Sequence, residues 1–244
     1  MSNSTVSNIT LLDDVEVELI DHMGNDSAIV QAARVSTQGE NEPEIPEWAL
    51  SLPDAGLIGY LMRERHGSPF EHTSLKFYVK GPIFAFREFQ RHRIASYNEM
   101  SGRYMELPPE FYIPSEGRKL VNVGKPSKPE FAPGTPEQYA LMSDTTFDVY
   151  EHAWHAYQQM LAAGIANEVA RQVLPLGIMS QMYVTMNLRA MFNFLSLRTQ
   201  RENARHVSRP QAEISMMAEE MDRIVAMLFP VAYEKFEEYG RVAP

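Results

Sequence analysis

Two long stretches with apolar residues at helical spacing, 136–163 and 210–238, constrain the fold of this chain most strongly. Gly164 directly follows the first stretch, and a glycine commonly ends a helix. The second stretch carries several methionines on its apolar stripe, which is typical of core filling. We therefore predict two long helices in the second half of the chain, each with one buried face.

Strands are predicted in the first half of the chain. Residues 73–80 alternate apolar and polar side chains, as a half-buried strand does, and residues 15–20 follow this pattern less regularly. Shorter helices are predicted over 26–34 with Asp26 as the N-cap, 53–65, 82–93, a stretch ending at Leu174, and 187–198. Residues 38–47 and the stretch 107–136, with seven prolines, are predicted to be irregular. Strands mixed with long helices indicate an α+β fold.

Composition excludes several classes of function. A chain of 244 residues with a net charge of -10 is unsuited to general nucleic-acid binding, although a local basic pocket could still take a small anion. The absence of cysteine excludes disulfides, a thiolate nucleophile and a Cys-ligated metal. The N-terminus lacks the basic and apolar regions of a signal peptide, and no apolar run approaches the ~20 residues of a membrane span. We therefore expect a cytoplasmic protein that binds neither nucleic acid nor membrane.

The segment 91–104 concentrates polar chemistry, with three arginines, a histidine, a glutamate, an asparagine, two serines and two tyrosines. Guanidinium groups bind phosphate or carboxylate with two parallel hydrogen bonds, and tyrosine offers a face for stacking. On a helix over 82–93, Glu88 and Arg91 would share a face opposite to Phe86 and Phe89. The pattern predicts a ligand pocket, and a solvated loop after a helix is the alternative.

Histidines elsewhere invite a metal interpretation that their spacing does not support. The segment 66–72 contains two histidines and a glutamate, but not at the helical spacing of known metal motifs. His152 and His155 lie within a predicted helix, where isolated histidines are more often structural. We predict no metal site.

The spacing of Arg91-His92-Arg93, seven residues and then Ser101 resembles the signature of the flavin-dependent thymidylate synthases. The resemblance runs in the family's order through further segments, namely Arg34-Val35-Ser36, 66–72, 168–175 and 187–198. It implies one domain over 11–244, after a flexible tail at 1–10, in an α+β fold that assembles as a homotetramer with active sites shared between subunits.

The activity implied by the resemblance is synthesis of dTMP from dUMP. Methylenetetrahydrofolate would donate the carbon, reduced FAD the hydride, and NADPH would reduce the flavin again. The absence of cysteine agrees with this family, because the unrelated class of thymidylate synthase activates the uracil ring with a thiolate.

Position by position, the resemblance implies three groups of site residues. FAD would be bound by Ser68, Arg91, His92, Arg93, Glu99, Asn187, Arg189 and Asn193. The nucleotide dUMP would be bound by Glu88, Arg91, Glu99, Met100, Ser101, Gly102, Arg103, Arg171 and Arg198. His66 would lie where folate or nicotinamide enters, and Arg198 would be catalytic. Ser101 is interpreted as a substrate contact, since no His–Asp pair is evident to activate it as a nucleophile.

The segment 199–212 departs from the family pattern because it is several residues longer. We interpret its arginines, Arg201, Arg205 and Arg209, as part of an exposed loop, with contact to a ligand as the alternative. Two other classes of function compete with the family interpretation. One is a nucleotide-binding regulator without catalysis, and the other is a phosphate-ester hydrolase, whose usual metal carboxylates and nucleophile are not seen.

Overall fold

A computed structural model describes residues 8–36, 54–126 and 128–244. A four-stranded sheet has the order β2-β3-β8-β4, and β1 pairs with β5 in parallel while β6 pairs with β7 antiparallel. The strands are β1 Thr10–Leu12, β2 Glu16–Met23, β3 Ser74–Pro82, β4 Ser96–Glu99, β5 Glu110–Tyr112, β6 Val121–Asn122, β7 Phe131–Ala132 and β8 Met179–Met186. The α-helices of the described residues are α1 Asp26–Arg34, α2 Ala55–Arg63, α3 Ile83–Phe89, α4 Pro136–Ala162, α5 Asn167–Ala170, α6 Leu188–Arg198, α7 Ala212–Leu228 and α8 Pro230–Glu238. The α+β class is confirmed.

The chain forms two compact units. The first contains 8–15, 80–88 and 99–182 of the described residues, and the second contains 16–36, 54–79, 89–98 and 183–244. None of the described helices is long and apolar enough to cross a membrane.

The core of the first unit is built on α4. Its N-terminus has a capping box between Thr135 and Gln138, and its C-terminus reaches Gly164, whose φ of 81° suits a residue without a side chain. Tyr150 of α4 stacks on Phe111 of β5 with ring centroids 4.7 Å apart. Burial of aromatic rings from a helix and a strand therefore holds this unit together.

The core of the second unit surrounds α6. Phe192 of this helix stacks on Phe236 of α8 at 4.4 Å between ring centroids, and it meets Phe70 of a short 3₁₀ turn edge-on. Five of the eleven residues of α6 are buried, so the predicted buried helix over 187–198 is confirmed. Its C-terminal residue, Arg198, is only partly buried. A positively charged side chain therefore lies at the end of a helix whose middle is buried in the core.

The helix predicted over 82–93 is shorter than expected. It ends at Phe89, and Ser96–Glu99 form β4, a strand that was not predicted from the sequence. The Tyr97 hydroxyl lies 2.7 Å from the main-chain oxygen of Phe89 and 2.8 Å from that of His92, and its single proton is shared between these two acceptors. The hydroxyl thus provides a donor for the carbonyl groups at the helix end, so the chain can leave the helix there. Arg91 consequently lies beyond the helix and does not share its face with Glu88.

Two further predictions, which concern Asp26 and Pro230, are wrong. Asn25, not Asp26, caps α1, and the long helix predicted over 210–238 is divided into α7 and α8 at Pro230. The buried carboxylate of Asp26 accepts hydrogen bonds from the main-chain nitrogens of Val231 and Ala232, both at 2.9 Å. Asp26 therefore satisfies the first amides of α8, whose N-terminus exists because proline cannot continue a helix.

Other predicted loops contain more structure than expected. The proline-rich stretch 107–136 holds β5, the short pair β6–β7 and, at Pro136, the start of α4, and most of its other described residues are irregular. Thr10, assigned to the tail, begins β1, while residues 1–7 and the predicted loop 38–47 lie outside the described residues. In the segment 199–212, Arg201 does not extend into solvent without a partner. Its guanidinium forms ion pairs with Glu219 at 2.6 Å and with Asp222 at 2.9 Å. That part of the exposed-loop prediction is wrong.

Candidate active site

The predicted site residues form two groups, one in each compact unit. In the second unit lie His66, Ser68, Arg91, His92, Arg93, Asn187, Arg189, Asn193 and Arg198. In the first unit lie Glu88, Glu99, Met100, Ser101, Gly102, Arg103 and Arg171.

Arg198 and His92 are in direct contact within the second unit. The Nε–H of Arg198 donates to Nε2 of His92 at 3.0 Å. The imidazole is buried and meets the ring of Phe194 edge-on, with centroids 4.9 Å apart. The predicted catalytic arginine is thus anchored through its Nε to a ring that is itself packed in the core.

Tyr97 of β4 contacts the main chain of His92 through its hydroxyl group. Burial raises the pKa of its hydroxyl to about 12, and the positive charge of Arg198 opposes that shift. The hydroxyl is therefore protonated at neutral pH, and its one proton is shared between the carbonyls of Phe89 and His92. Tyr97 was part of the predicted polar segment, but no specific role was predicted for it.

Arg189 is oriented by two contacts at the start of α6. Its Nη1 bonds to Glu71 at 2.6 Å, and its Nε donates to the main-chain oxygen of Pro244 at 2.8 Å. Gly67 lies so close to this guanidinium that a Cβ at residue 67 would overlap it. The glycine therefore leaves room for an arginine directly beside Ser68, another predicted FAD contact.

The remaining predicted FAD residues of this unit differ in whether their side chains are exposed or already bonded within the protein. Arg91 and Arg93 are exposed, and neither has an ion-pair partner within the described part of the chain. Ser68 and Asn193 are exposed as well. Asn187 caps α6, since its side-chain oxygen accepts from the Ala190 amide at 2.9 Å. Two exposed cations close together in sequence suit a ligand with several negative charges.

His66 lies outside these contacts but close to an aromatic ring. Its side chain is exposed and meets Tyr60 of α2 edge-on, with ring centroids 5.6 Å apart. An exposed imidazole beside a tyrosine ring is available to a planar ligand, which is compatible with the access role predicted for His66.

In the first unit, the segment 100–104 and the turn after α5 lie against each other. Gly102 is buried, and a Cβ there would come within 3.3 Å of the Arg171 side chain. Arg103 bonds through Nε to Glu168 of α5 at 2.9 Å, and its main-chain amide donates to the Ser101 hydroxyl at 3.3 Å. Two arginines and a serine predicted to bind dUMP are therefore brought together.

The neighbouring residues Glu99 and Met100 are fixed by β8. A carboxylate oxygen of Glu99 accepts from the Ser180 hydroxyl at 2.8 Å, and the Met100 amide donates to the Gln181 carbonyl at 2.9 Å. Glu88, on α3, is half-buried. These bonds position the polar segment rather than leaving it a solvated loop, which was the alternative interpretation.

Sequence reasoning missed the residues that hold the predicted ligand contacts in place. Glu71, Glu168 and Ser180 each bond to a predicted site residue. Glu71 and Glu168 occur in segments that resemble the family, but their partners are distant in sequence. No local pattern pairs Glu71 with Arg189, so only the tertiary structure identifies the contact.

Two surface clefts of the first unit, each of about 490 Å³, contain none of the predicted site residues. One lies at the N-terminus of α4 beside Tyr139, and the other is lined by His152, Trp154 and His155. Within the described residues, no group of three histidine, aspartate or glutamate side chains is arranged to hold a metal ion.

Comparison with known proteins identifies the class. The family model described as thymidylate synthase complementing protein matches residues 18–231. A flavin-dependent thymidylate synthase of Streptomyces avermitilis is 52% identical over 236 residues, which cover 95% of this chain and 94% of that protein. One of Tropheryma whipplei is 51% identical over 233 residues, covering 96% of each.

A solved structure agrees with these relatives. The UMP/dUMP methylase PolB from Streptomyces cacaoi, bound with 5-Br UMP, superposes with a TM-score of 0.88 at 45% identity. The match covers 97% of this chain and 100% of that one. The chain belongs to the family of flavin-dependent thymidylate synthases, and it is an enzyme with a flavin cofactor.

Proposed function

We propose that this enzyme methylates dUMP to dTMP, with 5,10-methylenetetrahydrofolate as the carbon donor, FAD as the cofactor and NADPH as the reductant. The observation that carries the proposal is Arg198, which is anchored by His92 in a chain that contains no cysteine. Without a thiolate, activation of the pyrimidine requires another charged group, and a fixed guanidinium is suited to that task.

The residues of the second unit fit FAD by their chemistry. Arg91 and Arg93 are exposed cations for the pyrophosphate, and each charge-assisted hydrogen bond contributes ~1.5–3 kcal/mol. Arg189 lies next to Gly67, which precedes Ser68 in the chain, and Asn193 is exposed on α6. We assign these residues and Asn187 to FAD, and we keep for Glu99 the FAD contact that the family resemblance implies. When bound, the reduced flavin supplies the hydride that completes the methyl group.

The residues of the first unit fit a nucleotide phosphate. Arg103 and Arg171 provide positive charge, and Ser101 provides a hydroxyl in the same segment. Arg103 is paired with Glu168, and since both side chains are about half exposed, a dianionic phosphate can compete with this carboxylate. We assign Glu88 and the 99–103 segment to dUMP as well.

Arg198 has the catalytic role in this proposal. Loss of the N3 proton puts negative charge on the pyrimidine ring and raises electron density at C5. A guanidinium against the O4–N3 edge favours the ionised form, and each unit by which it lowers the N3 pKa corresponds to ~1.4 kcal/mol. The ring then becomes nucleophilic without covalent attack by the enzyme.

The assembly we propose is a homotetramer with active sites shared between subunits. This proposal is supported by membership of the family, because the resemblance to that family implies a homotetramer. His66 is assigned to the entrance used by folate or nicotinamide, in keeping with its exposure beside Tyr60.

The test is product formation from two nucleotides in parallel. With methylenetetrahydrofolate, NADPH and FAD, the purified protein should convert dUMP to dTMP, separated and identified by liquid chromatography. UMP is the second substrate because the similar protein PolB is a UMP/dUMP methylase. Methylation of UMP alone would reject the proposed substrate, and methylation of neither would reject the proposed reaction.

A further inference from the structure

We propose that His92 is a positioning residue for Arg198 and not a contact of the flavin. This inference rests on the proposed role of Arg198, and it revises the FAD-binding role that the family resemblance implies for His92. Arg91 and Arg93, the neighbours of His92 in the motif, keep their proposed roles.

The first reason is the direction in which the three residues of the motif point. Arg91 and Arg93 are exposed, whereas His92 between them is 8% exposed. Successive side chains of a chain that has left the helix can alternate between solvent and core. The Arg-His-Arg pattern therefore presents two cations outward and one imidazole inward, where it is packed against Phe194.

The second reason is the chemistry of the bond between Arg198 and His92. Arginine has only donors, so Nε2 of His92 must be the acceptor and carries no proton. The imidazole is then neutral with its proton on Nδ1, because a protonated ring would place two positive charges in contact. Nε2 is thus already used by an arginine and is not a donor for a flavin atom.

The third reason is that the main chain of His92 is fixed as firmly as its ring. Its amide donates to the Phe89 carbonyl at 2.8 Å, and its carbonyl accepts from the Tyr97 hydroxyl at 2.8 Å. The end of α3, β4 and α6 together hold one imidazole. An imidazole held in this way can orient the Arg198 side chain, because the imidazole itself has little conformational freedom left to lose when the two groups bond.

The consequence for Arg198 is a fixed guanidinium plane. The five N–H donors of arginine are coplanar, so a bond at Nε together with the position of Cδ restricts the direction of the whole group. A lysine at residue 198 could not retain this geometry, since it has no planar fork. Loss of His92 should therefore lower turnover through Arg198 and leave FAD binding unchanged.

The experiment compares His92→Leu, which removes the acceptor, with His92→Gln, whose side-chain oxygen can replace Nε2. FAD affinity is measured by flavin fluorescence titration, and kcat and KM for dUMP are measured at saturating FAD. We expect FAD affinity within about threefold of the wild type in both variants. We expect kcat of His92→Leu to fall by about tenfold to a hundredfold, as small misplacements of reacting groups do, and His92→Gln to recover most of it.

Coupling to Arg198 provides a second measurement. In an Arg198→Lys background, His92→Leu should lower kcat little further, because the group that it positions is already absent. His152→Gln, an exposed histidine on α4, is the matched control and should resemble the wild type in every measurement. Wild-type turnover of Arg198→Lys would reject the proposed role of Arg198, and this result is independent of the flavin titration.

The contrary result is a loss of FAD affinity of about tenfold or more in both His92 variants, with wild-type kcat once FAD is saturating. That result would make His92 a flavin contact and overturn the proposal. If leucine prevents folding, His92→Asn replaces it, because the shorter side chain cannot place an acceptor at the position of Nε2. Unchanged FAD affinity with a lowered kcat in this variant supports positioning, whereas reduced FAD affinity with normal kcat, or no change in either quantity, overturns the proposal.

Discussion

At the scale of the residue, Arg198 combines two properties that a lysine would not reproduce. Its Nε bonds to His92, and its planar group can address adjacent atoms of a pyrimidine edge. A lysine ammonium is a compact charge on a flexible stem, so it would keep the charge and lose the geometry. The substitution Arg198→Lys therefore tests whether the positive charge alone is sufficient or the fixed orientation of the guanidinium is also needed.

We predict that Arg198→Lys keeps the fold and bound FAD but loses most of the methylation activity. Its pH–rate profile should shift to alkaline pH, because without the guanidinium the N3 pKa of the nucleotide rises and ionisation needs a higher pH. Circular dichroism, flavin absorbance and turnover between pH 6 and 10 test this. Arg205→Lys, at an exposed position, is the control. Wild-type turnover with an unchanged profile would remove Arg198 from the mechanism.

Ser101 permits a second prediction at this scale. Its hydroxyl accepts from the Arg103 amide, and the proposed function assigns it to the binding of dUMP. Ser101→Ala should raise the Kd for dUMP by about tenfold or less, since a hydrogen bond contributes ~0.5–1.5 kcal/mol, and turnover at saturating dUMP should remain measurable. Isothermal titration calorimetry and steady-state kinetics measure the two effects. A dUMP adduct on Ser101, mapped by mass spectrometry, would show a nucleophile instead.

At the scale of the element, the helix boundaries of the second unit depend on distant residues. The break between α7 and α8 is stabilised by Asp26, which lies more than two hundred residues earlier in the chain. The end of α3 is stabilised by Tyr97 of β4. Local periodicity predicts that a helix exists, but such partners decide where it begins and ends.

Asp26 gives a stability prediction for α8. Asp26→Ala leaves two helix amides without an acceptor and should lower the free energy of unfolding by ~1–2 kcal/mol. Asp26→Asn retains one side-chain oxygen as an acceptor and should cost less. Urea unfolding followed by circular dichroism measures both. An alanine variant as stable as the wild type would mean that the cap contributes nothing.

The contribution of Asp26 to the free energy of unfolding should depend on pH in a direction that its pKa shift determines. Burial raises the pKa of Asp26 above its ordinary value of 3.8, and the bonds from Val231 and Ala232 oppose the shift. A raised pKa in the folded state favours folding below the unfolded pKa, and this contribution is lost as the pH rises through the folded pKa. The stability of the wild type relative to Asp26→Asn should therefore fall as the pH rises from about 4. A constant difference would contradict this.

At the scale of the whole molecule, the sequence predicted the α+β class, the strands over 15–20 and 73–80, and the long helix of α4. It also predicted which residues carry polar chemistry, because a spaced motif is a local property. It did not predict β4, the division at Pro230, or the ion pairs of Arg201. The strand β4 and the ion pairs of Arg201 depend on partners, β8 and Asp222, whose proximity arises only from the folded chain. Pro230 is a local signal, and the helical spacing of apolar residues on both sides of it led to the prediction of one continuous helix.

Assembly provides a prediction at this scale. If active sites are shared between subunits, dilution to monomers should release flavin and abolish activity at the same protein concentration. Light scattering gives the molecular mass, and flavin fluorescence reports release in the same samples. A monomer that retains both FAD and full turnover would contradict a shared site.

The most direct test of the central claim is removal and return of FAD. The purified protein should show a flavin absorption spectrum once FAD is bound. Stripping the FAD should abolish dTMP formation from dUMP, methylenetetrahydrofolate and NADPH, and adding FAD back should restore both the spectrum and the activity. Full dTMP synthesis by protein that is rigorously free of flavin would contradict the account.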